Sequence, residues 1–249
     1  MREMNKKNEI FDHTQRFSQE KEAREDSEKR QSREFPEKIE KSEKQGEIAE
    51  NQRKDDLKYD FWLASLTNIN SSKRIQVREL CGSAQAVYEL REETLKNMHL
   101  FTDNELQHLL ESRKKDLNRA WERFLGQNIQ MFPIGSKKYP QRLKDIAQPP
   151  YAIFCKGSMP DARKSVGIVG ARMCSEYGRS IATKLGKMLA GKDVQVISGM
   201  ALGIDSASHA GALQGKGSTF AVLGCGCDIC YPKNARNLYE NIQTSGGGI

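Results

Sequence analysis

The spacing of apolar and polar positions divides the chain into four stretches of different character. Residues 1–56 have almost no apolar periodicity. Apolar residues at helical spacing follow and predict a bundle of short helices over residues 57–128. Residues 129–160 are irregular and hold five of the seven prolines, which predicts a connector that packs on the next domain. Residues 161–249 alternate short β-branched runs with helical patterns, so they predict an α/β domain.

The last stretch predicts three strands joined by helices. Strands are expected at residues 165–170, 194–198 and 218–223, and helices at 175–190, 204–214 and around 238–242. Strands connected by helices in this way form a parallel sheet with right-handed crossovers. The sequence therefore predicts the α/β fold class, with a doubly wound parallel sheet preceded by a small helical domain.

Two helix starts in the helical stretch carry explicit capping signals. Thr102 is followed three residues later by Glu105, which is the spacing of a capping box. Gly82 and Ser83 lie between two helical patterns, as a turn and an N-cap. We therefore expect one helix to begin after Ser83 and another after Thr102.

Charge is distributed unevenly between the tail and the body of the chain. Residues 1–56 hold 14 basic and 16 acidic residues and only three aromatic ones. Such a segment buries too little apolar surface to offset its chain entropy, so it predicts a disordered tail. The formal net charge of the whole chain is +7, which leaves +9 for residues 57–249. This excess favours an anionic partner, either a nucleic acid or a phosphorylated small molecule.

Several classes of protein are disfavoured by the composition. No apolar run approaches the length of a membrane span, and the N-terminus lacks the apolar core of a signal peptide. The six cysteines lack the spacing of a disulfide framework, so we expect free thiols and a cytoplasmic location. Cys225, Cys227 and Cys230 could bind a metal, but no fourth ligand is evident, and small residues also suit a closely packed loop.

The loops that follow the strands are the expected binding site. Ligands of open α/β sheets bind outside the carboxyl ends of the strands, where glycine-rich loops and helix N-termini meet. Arg172 can bind a phosphate with two hydrogen bonds, and Lys233 adds a point charge. Gly203 and Gly211 are expected to serve only tight strand-to-helix turns. The candidate residues for binding a phosphorylated ligand are Gly170, Ala171, Arg172, Ser198, Gly199, Met200 and Lys233, which become candidate DNA-binding residues if the ligand is a nucleic acid.

The sequence gives no positive evidence for catalysis. Asp205 and His209 are four residues apart on one predicted helix, where they could be an acid–base pair or a capping aspartate with a packing histidine. Residues 211–217 look like a phosphate-binding P-loop, but the Lys lacks a following Ser or Thr and the segment precedes a strand. No catalytic residues and no metal ligands are assigned.

A series of motifs resembles the DNA-processing protein DprA (Smf) family. The resemblance begins loosely near Phe61 and is specific from Tyr139 onward. The motifs that carry it are Tyr139-Pro140, Pro149-Pro150, Gly167–Arg172 (GIVGAR), Ser198–Asp205 (SGMALGID), Ser208–Leu213 (SHAGAL), Thr219–Asp228 (TFAVLGCGCD) and Tyr231-Pro232.

This resemblance implies a Rossmann-like domain after a SAM-like helical domain. It also implies a homodimer that binds and protects single-stranded DNA and loads the recombinase RecA in natural transformation, with no catalytic turnover and no cofactor. Family DNA contacts fall on Arg172 and its neighbouring loops. The family continues beyond Ile249, so a C-terminally truncated member is expected. The alternative is a nucleoside-monophosphate hydrolase of the LOG group, whose Pro-Gly-Gly-x-Gly-Thr loop does not occur here.

Overall fold

The computed structural model describes residues 56–249, so the tail predicted for residues 1–56 lies outside the described residues apart from its last residue. The described part is a mixed α/β structure with a helical N-terminal region. Across residues 56–249, no helix is both long enough and apolar enough to cross a membrane.

Six short helices make up the N-terminal region. They are α1 (residues 56–65), α2 (Ser71–Cys81), α3 (Ala84–Glu89), α4 (Glu92–Asn97), α5 (Asp103–Ser112) and α6 (Leu117–Leu125). Their apolar faces form one core around Trp62, Leu63, Leu109 and Trp121. Both tryptophans are packed among other aromatic rings, so they are core residues.

The predicted helix starts are confirmed. The Thr102 hydroxyl accepts a hydrogen bond from the backbone N–H of Glu105, and the Glu105 carboxylate accepts one from the backbone N–H of Thr102. Gly82 ends α2 with a positive φ of 82°, and the Ser83 hydroxyl caps α3. These caps satisfy backbone groups that would otherwise lack partners at the helix ends.

The connector is more regular than the sequence predicts. Strands β1 (Gln130–Pro133) and β2 (Ala152–Cys155) pair as an antiparallel ribbon, and α7 (Gln141–Lys144) lies between them. The five prolines made this stretch look irregular. In the structure, however, Pro133 is the last residue of β1 and does not interrupt it, and β2 forms from part of the short apolar run that follows Pro150. Tyr151, just before β2, is buried in the helical core and ties the connector to it.

A three-stranded parallel sheet forms the C-terminal part. Its strands are β3 (Ser165–Gly167), β4 (Gln195–Ser198) and β5 (Thr219–Ala221), in the order β3-β4-β5. Strands β3 and β5 end earlier than predicted, because their pairing stops where the chain turns into a glycine-rich loop, whereas β4 ends at the predicted residue and starts one residue later. Helices α8 (Glu176–Ala190) and α9 (Ile204–Gln214) connect them, as predicted.

The two connecting helices approach each other closely through glycines. A Cβ at Gly186 of α8 would lie 2.3 Å from the backbone oxygen of Ser208, and one at Gly211 of α9 would lie 2.1 Å from that of Thr183. Gly211 therefore serves helix–helix packing and not the turn expected for it. Because α8 and α9 pack on each other and on Val196 of β4, they share one face of the sheet.

The last residues of the chain extend the sheet. A 3₁₀ turn (Lys233–Ala235) and α10 (Arg236–Thr244) follow β5. The backbone of Gly248 then pairs with β5, and Ile249 exchanges two hydrogen bonds of 2.9 Å with Lys156, just after β2. This segment joins the ribbon of β1 and β2 to the parallel sheet.

Candidate nucleic-acid interface

Three loops meet at the carboxyl edge of the parallel sheet. We call residues 168–175, after β3, the first loop; residues 199–203, after β4, the second loop; and residues 222–232, after β5, the third loop. The backbone N–H of Val222 donates to the carbonyl of Ser198 at 2.8 Å, which joins the third loop to the end of β4.

The first and second loops are in close contact. The backbone N–H of Ile204, the first residue of α9, donates to the carbonyl of Ala171 at 3.3 Å. A Cβ at Gly203 would lie 2.2 Å from that carbonyl oxygen, and one at Gly170 would lie 2.7 Å from the Ile204 side chain. Gly170 and Gly203 therefore allow the two loops to touch. Sequence reasoning missed this role of Gly203; its position directly before a helix start was the available signal.

The residues at the end of β4 are mostly buried. The Ser198 side chain is 3% exposed, and its hydroxyl donates to the carbonyl of Ile168 at 2.6 Å. Met200 is fully buried in a cluster with Tyr239 and Ile242. Both residues were candidates for contact with a ligand. In the structure, the Ser198 and Met200 side chains instead hold the loops in place and are not available to a ligand. Gly199 is half-buried, and the space above its Cα is filled by the Asp205 carboxylate.

Two predicted cations are exposed and unpaired at this edge. The Arg172 guanidinium, on the first loop, forms no hydrogen bond or ion pair with any other residue of 56–249. The same holds, within the described chain, for the Lys233 ammonium at the start of the 3₁₀ turn. Free cations of this kind are available to phosphate groups. No contact given by the structure joins Lys233 to Arg172 within residues 56–249.

The helix N-termini contribute less positive potential than expected. The Ser175 hydroxyl already caps α8 by accepting from the N–H of Gly178, and Glu176 lies in the first turn. Asp205 lies in the first turn of α9 and is largely buried. A carboxylate at each helix start opposes a bound anion, so side-chain cations carry the positive charge of this edge.

His209 is placed for packing and not for proton transfer. Its ring is fully buried, and its Nδ1 lies 2.7 Å from the Thr219 hydroxyl, which donates to the carbonyl of Val196. Desolvation by burial lowers the pKa of His209 to about 4, although the nearby Asp205 carboxylate acts in the opposite direction. Asp205 is not the cap of α9, whose N-cap is Gly203. The geometry therefore favours the packing alternative for the histidine.

The third-loop cysteines do not form a metal centre in the described chain. Cys225 is exposed, Cys227 is buried, and Cys230 is half-buried. Burial raises the pKa of the Cys227 thiol, which disfavours the thiolate that a metal requires. Residues 56–249 contain no group of three His, Cys, Asp or Glu side chains arranged to hold a metal ion.

The geometry defines a class of protein: a mixed α/β domain with free cations on the loops at the carboxyl edge of a parallel sheet. Residues 130–249 match the model of the family described as DNA recombination-mediator protein A, so this stretch of the chain is similar to that family. The resemblance seen in the sequence motifs is thereby confirmed.

Individual relatives agree with this similarity. The chain is 35% identical over 139 residues to DNA processing protein DprA of Bacillus subtilis, covering 55% of this chain and 47% of the relative. It is 38% identical over 123 residues to DNA processing protein DprA of Streptococcus pneumoniae, covering 47% of this chain and 43% of the relative. The chain thus spans less than half the length of either curated relative.

The X-ray structure of DNA processing protein A from Streptococcus pneumoniae is similar in fold. It matches with a TM-score of 0.59 and 28% sequence identity, over 75% of this chain and 63% of that chain. Three quarters of the chain is more than residues 130–249, so the similarity extends into the helical region.

Proposed function

We propose that the chain binds single-stranded DNA through its phosphates at the carboxyl edge of the parallel sheet. The observation that carries this proposal is the Arg172 guanidinium, which is exposed and unpaired within the described chain beside the closely packed first and second loops. The match of residues 130–249 to the model of the recombination-mediator family supports it. Lys233, directly after the third loop, is the second proposed phosphate contact.

The finer parts of the proposal follow from the family. The domain is a Rossmann-like doubly wound fold. The three parallel strands support its Rossmann-like part, and the similar pneumococcal structure supports the fold, while α8 and α9 cover one of the two sheet faces that double winding requires. The protein is a binding protein without catalytic turnover. It protects the bound strand and passes it to the recombinase RecA in natural transformation, as a homodimer. The buried state of His209 supports the absence of acid–base chemistry at this edge.

The test is a titration of labelled oligothymidine, followed by fluorescence anisotropy at several salt concentrations. We expect Arg172→Ala to weaken binding roughly tenfold at low salt, because a hydrogen bond to a charged group contributes about 1.5 kcal/mol or more. The slope of log affinity against log salt should fall by roughly 0.7, the value for one phosphate contact on a single strand.

The matched control is Arg119→Ala, which removes another exposed arginine without a side-chain partner among residues 56–249, on helix α6. Equal weakening by both variants would mean that only net charge matters, and would contradict a site at Arg172.

Duplex DNA and a nucleoside monophosphate serve as competitors. Displacement by the monophosphate at low concentration would favour the nucleotide-hydrolase alternative.

A further inference from the structure

The start of α9 offers few free donors to an anion, although it lies at the carboxyl edge of the parallel sheet. The N–H of Ile204, its first residue, donates to the carbonyl of Ala171. The N–H of Ser206 donates to the carbonyl of Ala201 at 3.1 Å, and the Ser206 hydroxyl donates to the same oxygen at 2.5 Å. Two of the first three N–H groups of α9 are therefore in use, whereas a helix start that binds a terminal phosphate presents these groups to it.

The Asp205 carboxylate is buried at the same place. Asp205 is 7% exposed, and its Oδ1 has no hydrogen-bond partner among residues 56–249. A Cβ at Gly199 would lie 2.7 Å from the Asp205 Oδ2 and 3.9 Å from the carbonyl oxygen of Val222. Gly199 directly follows β4 and Val222 directly follows β5, so the carboxylate lies where these two strands end.

No cation neutralises this carboxylate within the described chain. Among residues 56–249, no lysine or arginine forms an ion pair with Asp205. His209, about one turn later on α9, is uncharged near neutral pH, because burial lowers its pKa to about 4. Asp205 therefore places a negative charge where solvent screens it weakly, beside the loops that the proposed ligand must approach.

The start of α9 also touches the loop that carries Arg172. A Cβ at Gly203, two residues before Asp205, would lie 2.6 Å from the backbone oxygen of Arg172. The Arg172 guanidinium nevertheless forms no ion pair with Asp205, so both charges remain uncompensated within the described chain. An anion bound by Arg172 is therefore attracted by one charge and repelled by another on the contacting loop and helix.

The charge of a phosphate decides how strongly this carboxylate opposes it. A phosphodiester inside a strand carries one negative charge, which a single guanidinium can match with two hydrogen bonds. A terminal phosphate carries about −1.5 to −2 charges at pH 7 and a third free oxygen that needs donors. The start of α9 supplies few such donors, and Asp205 repels the additional charge. The edge therefore suits a diester better than a monoester.

We infer that Asp205 makes the carboxyl edge selective for the phosphodiesters within a strand and against terminal phosphates and nucleoside monophosphates. This inference rests on the proposed function, since it concerns the phosphate bound by Arg172. It predicts a preference opposite to that of Arg172 alone, because an isolated cation attracts the ligand with the larger negative charge.

The experiment uses two ligands that differ by one methyl group: thymidine 5′-monophosphate and its methyl ester, which is a phosphodiester. Each ligand competes with labelled oligothymidine for the full chain, followed by fluorescence anisotropy at matched ionic strength. The test variant is Asp205→Asn, which removes the charge and keeps the shape, and Asp205→Ala is a second variant without the charge.

The matched control is Asp145→Asn, which removes the same charge from an exposed aspartate without a side-chain partner in the described residues. Circular dichroism verifies that each variant is folded. The ratio of the two affinities is the readout, because a loss of folded protein weakens both ligands equally and leaves their ratio unchanged. The ratio in the parent tests the inference without any variant.

We expect the parent and Asp145→Asn to bind the methyl ester roughly fivefold more tightly than the monophosphate, the effect of one unfavourable charge near a helix end. In both Asp205 variants the monophosphate should bind as tightly as the ester or more tightly. The same ratio in the parent and in both Asp205 variants would overturn the inference. A parent that prefers the monophosphate, or from which neither ligand displaces oligothymidine, would overturn it too. If Arg172→Ala still weakened binding of oligothymidine in those cases, the proposed function would stand alone; no binding of oligothymidine by the parent would refute both.

Discussion

Gly203 controls the contact between the loop that carries Arg172 and the start of α9. Its φ is +85°, and a Cβ there would lie 2.2 Å from the backbone oxygen of Ala171 and 2.6 Å from that of Arg172. An alanine must therefore push the first loop away in addition to adopting a strained backbone. We expect Gly203→Ala to lower the free energy of unfolding by about 2–4 kcal/mol, since steric overlap adds to the strain of roughly 1 kcal/mol.

Gly82→Ala separates these two causes. Gly82 has nearly the same φ, +82°, but no atom within 4 Å of the Cβ position. Urea denaturation should show the smaller, strain-only loss for Gly82→Ala, and anisotropy should show reduced DNA affinity for Gly203→Ala alone. Equal losses of stability in the two variants would contradict the role of Gly203 as a contact between loops.

Side-chain direction was the limit of sequence reasoning at the residue scale. Arg172 and Lys233 could be placed on loops after strands, because carboxyl ends of parallel strands share one edge. The burial of Met200 could not be predicted, because it follows from a positive φ of 60° that turns the side chain into the core. Ser198 was expected to contact a ligand, but its hydroxyl donates a hydrogen bond to the carbonyl of Ile168.

At the scale of elements, the His209 ring fastens α9 to β5. Its Nδ1 donates to the Thr219 hydroxyl in a fully buried position, and burial lowers the pKa of His209 from 6.5 to about 4. Between these two values the unfolded chain binds a proton that the folded chain does not. The free energy of unfolding therefore falls as the pH drops from 6.5 toward 4, by at most about 3 kcal/mol from this group.

The check is a comparison with His209→Gln, whose amide can donate to Thr219 but does not titrate. Urea denaturation across this pH range should show a smaller loss of stability for the variant than for the parent, since the other titrating groups are common to both. Parallel pH profiles would show that the ring is accessible to protons in the folded protein.

The elements that the sequence predicted best are those whose signals are local. Helix α9 was predicted at its observed bounds, and α8 within one residue, because apolar spacing and flanking glycines define them. The ribbon of β1 and β2 was missed, since neither strand exceeds four residues and their pairing joins distant parts of the chain. The pairing of Gly248 with β5 was missed for the same reason, and a run of glycines gives no strand signal.

At the scale of the whole described chain, a buried polar cluster couples the helical region to the sheets. The Tyr151 hydroxyl, next to β2, donates to the Asp60 carboxylate of α1, which also accepts from Arg78 of α2 at 2.9 Å. From β2 the connection continues through the Lys156–Ile249 pairing to β5. Asp60 therefore links helices α1 and α2 to the residue that precedes β2.

We expect Asp60→Asn to uncouple unfolding of the two parts and to cost about 2 kcal/mol, because it weakens the bonds to Arg78 and Tyr151 while both remain half or fully buried. Both tryptophans of the chain lie in the helical core, so their fluorescence reports on that part alone, whereas circular dichroism reports on all helices. In the parent, the two signals should change together with denaturant. In Asp60→Asn, the fluorescence should change at a lower denaturant concentration than the circular dichroism. The control is Asp145→Asn, which alters an exposed aspartate without a side-chain partner in the described residues, and its two signals should stay coincident. Coincident transitions in Asp60→Asn would place the coupling in the apolar contacts of Tyr151 instead of its hydrogen bond.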